Sequence, residues 1–395
     1  MPSAQLDVVL FGASGFTGAL TAAYLAEHAP ADLRWGIAGR NRGKLERLRA
    51  DLHDRFGSGD QLEILEADVT DRGSVRRVAE RASVVASTVG PYLEYGEPLV
   101  AACAEVGSDY LDLTGEPEFV DRMYLEHGKR AEASGARLVH ACGFDSIPHD
   151  LGAQFTVEQL PDDVALRVKG YVTAGGTFSG GTFASALTAF SRPRQMAAAA
   201  SERRKVEPKP IGRRVRAVTG APGYDRAIGQ WVLPFPSLDP QVVARSARAL
   251  PEYGPDFSYS HFVALANPLT AVGIALGAAG VFTLAQLPPT RALLQKLRPS
   301  GSGPSPEQRE KGWFRVRFVA ESSDGQSVRT EVSGGDPGYS ETAKMLAESA
   351  LCLASDELPT TAGQVTTATA MGAALRRRLE RADMRFRVLD DRTSP

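Results

Sequence analysis

Leu6-Asp7-Val8-Val9-Leu10-Phe11 runs directly into Gly12-Ala13-Ser14-Gly15-Phe16-Thr17-Gly18, and a helical pattern begins at Ala19. The first six residues form a short apolar β-type run. The Gly-x-x-Gly-x-x-Gly spacing after it serves three demands: a tight turn out of the strand, close approach of a pyrophosphate to bare backbone, and close packing of helix on sheet. The N-terminus of the following helix then aims N–H groups and its positive dipole end at the phosphates. Glycines at this spacing can also mark a merely structural turn. With a strand before and a helix after, the pattern favours a dinucleotide site built on Gly12, Ser14, Gly15, Phe16, Thr17 and Gly18.

Outward from this turn, strands are expected at Trp35–Ala38, Leu62–Glu66, Ser83–Val89, Tyr110–Leu113 and Arg137–Ala141. Helical stretches separate them at Lys44–Leu52, Ser74–Arg81, Pro98–Val106 and Pro117–Ala133. Such alternation predicts an α/β fold, a Rossmann-type doubly wound parallel sheet over residues 1–150. After the second strand, where an NAD-binding chain places an acid for the ribose hydroxyls, the sequence reads Ala38-Gly39-Arg40-Asn41-Arg42. A cation there suits the 2′-phosphate of NADP, so NADPH is the expected cofactor, with Arg40, Asn41 and, after the third strand, Asp68 near the adenosine end. The alternative for Arg40 and Arg42 is a pair of solvated surface charges.

Ligands of open parallel sheets bind beyond the carboxyl ends of the strands. Two loops at those ends carry chemistry. The fourth strand leads into Val89-Gly90-Pro91-Tyr92-Leu93-Glu94-Tyr95-Gly96, whose Val89, Gly90 and Pro91 are expected beside the nicotinamide. The sixth leads into Cys142-Gly143-Phe144-Asp145-Ser146-Ile147-Pro148-His149. Tyr92, Tyr95, Asp145, Ser146 and His149 are candidates for proton donation or carbonyl polarisation, with Tyr92 first because a phenol stays protonated at neutral pH. Tyr95 can equally be a packed ring, and Asp145-Ser146 can equally cap the next helix. No tyrosine is followed four residues later by lysine, so the acid–base pair of short-chain dehydrogenases is absent. Gly-x-x-x-x-Gly-Lys-Ser/Thr, His-Glu-x-x-His and Gly-x-Ser-x-Gly are absent too, which removes the usual supports for phosphoryl transfer, zinc proteolysis and serine hydrolysis.

With 395 residues the chain exceeds what one hydrophobic core commonly serves, so more than one domain is expected. Its 45 basic and 47 acidic side chains balance, which excludes a general nucleic-acid footprint. Cys103, Cys142 and Cys352 lie far apart, so neither a disulfide framework nor a thiolate metal site is expected. Met1 to Gln5 show no basic or apolar leader pattern, and a cytoplasmic protein is the expectation.

In these segments the chain resembles the saccharopine dehydrogenase-like oxidoreductases, and among them the trans-acting enoyl reductases of actinobacterial lipid and polyketide pathways. The carrying residues are Gly12 to Gly18, Ala38-Gly39-Arg40, Val89 to Tyr92 with Tyr95-Gly96, Cys142 to Pro148, Ser179-Gly180-Gly181-Thr182, and Gly303-Pro304-Ser305 through Gly312. The chain departs from the family pattern at Thr366-Thr367-Ala368, where Thr-Pro-Ala is usual, and at His149, where relatives often carry a small polar residue. The resemblance implies a second α+β domain, taken as residues 151–337, and C-terminal helices over 338–395 that return to the first domain. It further implies NADPH-dependent reduction of a carbon–carbon double bond in an acyl thioester, carried on an acyl carrier protein or coenzyme A. A saccharopine dehydrogenase-like imine or amino-acid oxidoreductase is the alternative. A non-catalytic NADP-binding membrane-associated protein is a third reading, and a homodimer is left open.

In the second half, strands are expected at Ala165–Thr173, Trp313–Ala320 and Ser327–Val332, with a helix at Ser340–Ala354. A glycine-rich turn at Gly175–Thr182, with Ser179 and Thr182 as hydroxyl donors, leads into a helix at Phe183–Phe190. Arg192 to Arg216 holds nine basic side chains against two acids. It reads as a solvated surface loop, or as a docking patch for an acidic carrier protein, coenzyme A phosphates or anionic lipid. Phe262 to Leu287 contains no charged residue. Buried core helices, a hairpin lining an acyl tunnel or lying at a membrane interface, and a membrane span are the readings open for it.

Overall fold

Alternation along the first strand sets the two faces of its sheet. Val8 and Leu10 of β1 (Leu6–Phe11) join one buried cluster, while Val9 and Phe11 join another on the opposite face. All four are fully or almost fully buried, and burying such a side chain contributes ~1.5–3 kcal/mol. The computed structural model describes residues 5–57, 62–175, 187–188, 191–286, 289–290 and 303–390.

From β1 the chain continues through α1 (Phe16–His28), β2 (Trp35–Gly39), α2 (Arg42–Phe56), β3 (Glu63–Glu66), α3 (Arg72–Arg81) and β4 (Ala82–Ser87). It then passes through α4 (Tyr92–Tyr95), α5 (Glu97–Val106), β5 (Asp109–Asp112), α6 (Pro117–Ser134) and β6 (Arg137–Val139). Strand order is β6-β5-β4-β1-β2-β3, parallel throughout. A seventh strand, β14 (Gly363–Val365), pairs in parallel with β6, so the sheet takes an edge strand from the far end of the chain.

The second unit is an eight-stranded mixed sheet. Its first strand, β7 (Leu166–Gly175), lies between β11 (Asp256–Leu265), which is parallel, and β12 (Trp313–Ser322), which is antiparallel. Beyond β12 come β13 (Ser327–Gly334) and the C-terminal β15 (Arg385–Leu389). On the other side β11 pairs with β8 (Arg214–Ala217) and β10 (Gln230–Pro234), and β10 with β9 (Gly223–Asp225). The helix α7 (Ile147–Val157) packs on β12 and β13, so the boundary expected at residue 150 falls inside an element that serves the second sheet.

Later helices stitch the units together. We number them α8 (Pro193–Val206), α9 (Asp239–Ala249), α10 (Pro268–Ala285), α11 (Pro306–Glu310), α12 (Ser340–Ser355), α13 (Thr367–Ala370) and α14 (Gly372–Arg381). The long α12 lies against α1 and β4, covering one face of the parallel sheet. The C-terminal segment thus returns to the first sheet through α12 and β14, and to the second through β15.

Two expectations need correction. Residues 192–216 are not a solvated loop: 193–206 are helical and Arg203 is buried, paired with Asp121 and Glu207 beneath the ring of Tyr124. Arg192 pairs with Glu118, and Arg213 donates to three backbone carbonyls. Phe262 to Gln286 are not buried core helices: Phe262–Leu265 complete β11, and α10 leaves Leu269, Val272, Ile274, Leu276, Phe282 and Leu284 exposed, while Leu287 lies outside the described residues. Among the described residues no helix is long and apolar enough to cross a membrane. The glycine-rich turn after Gly175, with Ser179 and Thr182, lies outside the described residues, as does nearly all of Phe183–Phe190.

Candidate active site

The glycine turn has the local geometry a dinucleotide needs. Gly12 sits at φ 84°, in the left-handed region that favours glycine. A Cβ on Gly18 would stand 2.3 Å from the Gly12 carbonyl oxygen, so only hydrogen allows α1 to pack this close to the turn. Gly15 precedes α1 without a side-chain cap, and no acid stands in the first turn of the helix. Its leading N–H groups are therefore left for an anion. Thr88, just past β4, donates its hydroxyl to the carbonyls of Phe11 and Gly12 and ties the two strand ends together.

Arg40 follows β2 and is exposed, while Asn41 caps α2 by accepting from the Lys44 N–H at 2.9 Å. Gly39 lies beside Ser14, so Arg40 stands at the outer end of the glycine turn. The Asp68 carboxyl is held below the usual range chiefly by the N–H and hydroxyl of Thr70, with a smaller contribution from the Arg40 charge. These residues fit an NADP cofactor: the α1 N-terminus would take the pyrophosphate and Arg40 the 2′-phosphate, with Val89, Gly90 and Pro91 at the neighbouring strand end.

The five candidate catalytic side chains fare differently. Tyr92 is 5% exposed, and its hydroxyl donates to the Ser87 carbonyl and accepts from the Leu113 N–H, both at 3.1 Å. Burial, then the charge of Asp112, pushes this phenol well above its ordinary pKa. The loop turns it inward because the Glu116 carboxylate accepts the N–H groups of Tyr92 and Leu93. That geometry supports a packing role and weighs against Tyr92 as the donor. Tyr95 is 40% exposed at the end of the same turn, and its hydroxyl has no partner among the described residues.

Ser146 and His149 are brought together with residues the sequence did not single out. Ser146 stands at the N-cap of α7, yet its hydroxyl donates to Asp239 Oδ1 at 2.8 Å instead of capping the helix. Ser237 donates to Asp239 Oδ2 at 2.6 Å. The ring of His149 lies 3.4 Å from Asp239 Oδ1, and His261 Nε2 lies 3.6 Å from Oδ2. All three side chains are buried, and among the described residues both ring nitrogens of His149 and Nε2 of His261 have no hydrogen-bond partner. Tyr259 meets His261 Nδ1 at 3.0 Å, and Phe144 packs edge-on against both His149 and Phe314 of β12. The ligand-type atoms of His149, Asp239 and His261 converge closely enough to surround a small cation, although the carboxylate is already taken up by two serine hydroxyls.

Asp145 completes the group. It is partly exposed, and its carboxyl lies against Gly115 beyond β5, where a Cβ would stand 3.1 Å from Oδ2. Enclosure, and then the negative charge of Asp239, pushes its pKa up to about 7. Burial alone would raise Asp239 as well, but His149, His261 and the two serines reverse this and leave it below the usual carboxylate range. Burial lowers both imidazoles against the opposing pull of the Asp239 charge, His261 to about 3 and His149 to below its ordinary value. The result is one ionised carboxylate behind a protonatable one, at the carboxyl end of a parallel sheet. Behind the same loop His140 Nδ1 contacts Asp112 at 2.6 Å, a buried core pair.

A parallel sheet with an uncapped glycine turn, and a protonatable cluster beside the adjoining strand ends, define an NADP-dependent oxidoreductase of the Rossmann class. Residues 8–139 match the family described as the saccharopine dehydrogenase NADP binding domain. A Mycobacterium tuberculosis protein provisionally named a trans-acting enoyl reductase is 36% identical over 96% of this chain and 96% of its own length. The trans-acting enoyl reductase of Mycobacterium ulcerans is 34% identical, covering 96% of this chain and 97% of that one. Among solved structures, apo saccharopine dehydrogenase (L-Glu forming) from Saccharomyces cerevisiae superposes with a TM-score of 0.55 at 12% identity, covering 98% of this chain and 100% of that chain, a likeness of fold. The chain belongs to the saccharopine dehydrogenase-like oxidoreductases, in the group of the trans-acting enoyl reductases.

Proposed function

We propose that this oxidoreductase reduces the carbon–carbon double bond of an α,β-unsaturated acyl thioester with NADPH, and that Asp145 is the acid. The observation that carries this reading is the charge of the cluster. Among the described residues no lysine or arginine pairs with Asp145 or Asp239, and Arg192, Arg203 and Arg245 are taken up by Glu118, Asp121 and Glu207. An amino-acid or imino-acid substrate needs a cation for its α-carboxylate and would be repelled by ionised Asp239. A thioester is neutral and needs only a donor for the oxygen on which charge develops.

When bound, the reduced nicotinamide supplies the hydride that adds to the β-carbon. Protonated Asp145 would hydrogen-bond the thioester oxygen as it becomes an enolate, then pass its proton to the α-carbon, taking the charge itself. Enclosure, and then the charge of Asp239, leave about half of Asp145 protonated at neutral pH, and Ser146 and Ser237 hold Asp239 in place. Because Asp145 is partly exposed, solvent can return the proton after each turnover. Exposed apolar side chains along α10 support a long acyl chain or a lipid surface as its surroundings. Exposed Arg194, Arg204, Lys205 and Lys209 support docking of an anionic carrier.

The test is NADPH consumption against enoyl, β-keto and imino substrates, the acyl ones as coenzyme A or carrier-protein thioesters, with the product identified by mass. The reading expects turnover on the enoyl thioester and a product heavier by two hydrogens. Turnover confined to the imino substrates overturns it in favour of an amino-acid dehydrogenase.

A further inference from the structure

The segment Gly303 to Gly312 has no part in the chemistry above, yet it reaches across from the second unit to the cofactor turn. A Cβ on Gly303 would stand 2.2 Å from Phe16 Cζ, so the segment lies directly on the first residue of α1. Tyr339 meets the Phe16 ring edge-on at 4.9 Å. Ser305 opens α11 with a reciprocal capping box to Gln308, which fixes the short turn that carries Arg309. The Arg309 guanidinium carbon lies 5.9 Å from the centre of the Phe16 ring.

Arg309 is half-buried there, and its partners do not account for it. Its one hydrogen bond among the described residues is a long one, Nη1 to Ser340 Oγ at 3.4 Å, while Nε is buried with no partner. No carboxylate among the described residues lies within ion-pair distance of it. Its neighbour Glu307 on α11 accepts from the Ser305 hydroxyl instead. An enclosed cation beside the positive end of an uncapped helix is unfavourable on both counts unless an anion comes between them. We infer that Arg309 binds the cofactor pyrophosphate from the second unit, opposite the N–H groups of α1. This inference rests on the cofactor reading and adds to it a residue from outside the Rossmann sheet. Through it, cofactor binding would tie the two units together at the N-terminus of α1.

Arg309→Met and Arg309→Lys in the full chain test this by calorimetric binding of NADPH and NADH, with Arg40→Ala alongside. The pyrophosphate is common to both coenzymes, so Arg309→Met is expected to weaken both by ~10- to 100-fold, with Arg309→Lys between it and the parent. Arg40→Ala should weaken NADPH alone. Thermal unfolding without coenzyme should be nearly unchanged in Arg309→Lys, which keeps the charge if the methionine variant folds poorly. Binding of both coenzymes within twofold of the parent overturns the inference, and so does a loss confined to NADPH. Failure of the parent itself to bind either coenzyme would instead overturn the cofactor reading on which it rests.

Discussion

Replacing Asp145 by asparagine keeps the size and one hydrogen-bond donor but removes the transferable proton. A carboxyl at about 7, against the ordinary 3.8, changes how much acid is available. At pH 7 the shifted group is about half protonated, whereas an ordinary one would be protonated roughly one time in 1,600. Tertiary structure thus enlarges the donor pool about 800-fold at that pH. The sign follows: the acid form prevails below about 7, so kcat for the enoyl thioester should be level on the acid side and fall about tenfold per pH unit above 8. Asp145→Asn should lower kcat by ~10²- to 10⁴-fold with KM nearly unchanged, and the alkaline limb should vanish. Asp239→Asn removes the second cause of the shift, leaving enclosure, so the limb should move to lower pH and activity at pH 7 should drop more than activity at pH 6. Steady-state rates from pH 6 to 10, at saturating NADPH and in constant ionic strength, measure both. An Asp145→Asn enzyme that retains the parental limb, or turns over within about threefold of the parent, would refute the assignment.

Arg40→Ala is expected to weaken NADPH ~10- to 150-fold in calorimetry while leaving NADH nearly unchanged, because only NADPH carries the 2′-phosphate. Tyr92→Phe leaves the Leu113 N–H without its acceptor, so a loss of ~1–3 kcal/mol in denaturant unfolding is expected with turnover near the parental value. A hundredfold fall in kcat at unchanged stability would restore Tyr92 as the donor. Leu276 is 69% exposed, so Leu276→Glu should leave the Tm within a degree or two. It should reduce recovery on lipid vesicles, or activity on long acyl chains relative to short ones; if neither moves, α10 has no part in lipid or acyl contact.

Much of the cofactor half was legible from the sequence because its determinants are contiguous. A strand, a glycine turn and a helix start lie within Leu6 to Ala19, and their backbone requirements are met by neighbours in the chain. Periodicity likewise located β2 to β6 to within a residue or two. The inward turn of Tyr92 was not legible, since it depends on Glu116 taking the N–H groups of the preceding turn. Charge counting over residues 192–216 could not reveal that Arg203 is buried against Asp121, which lies 82 positions away.

What the sequence by itself determined is the Rossmann sheet and its NADP cofactor, both of which follow from residue type at fixed short spacing. The chemistry of Asp145 was decided only in three dimensions. Ser146 meets Asp239 across 93 positions, and His261 arrives on a strand of the other sheet. A pKa is set by the charges and solvent around a group in space, and folding alone puts Asp239 behind Asp145 and shuts most of the water out.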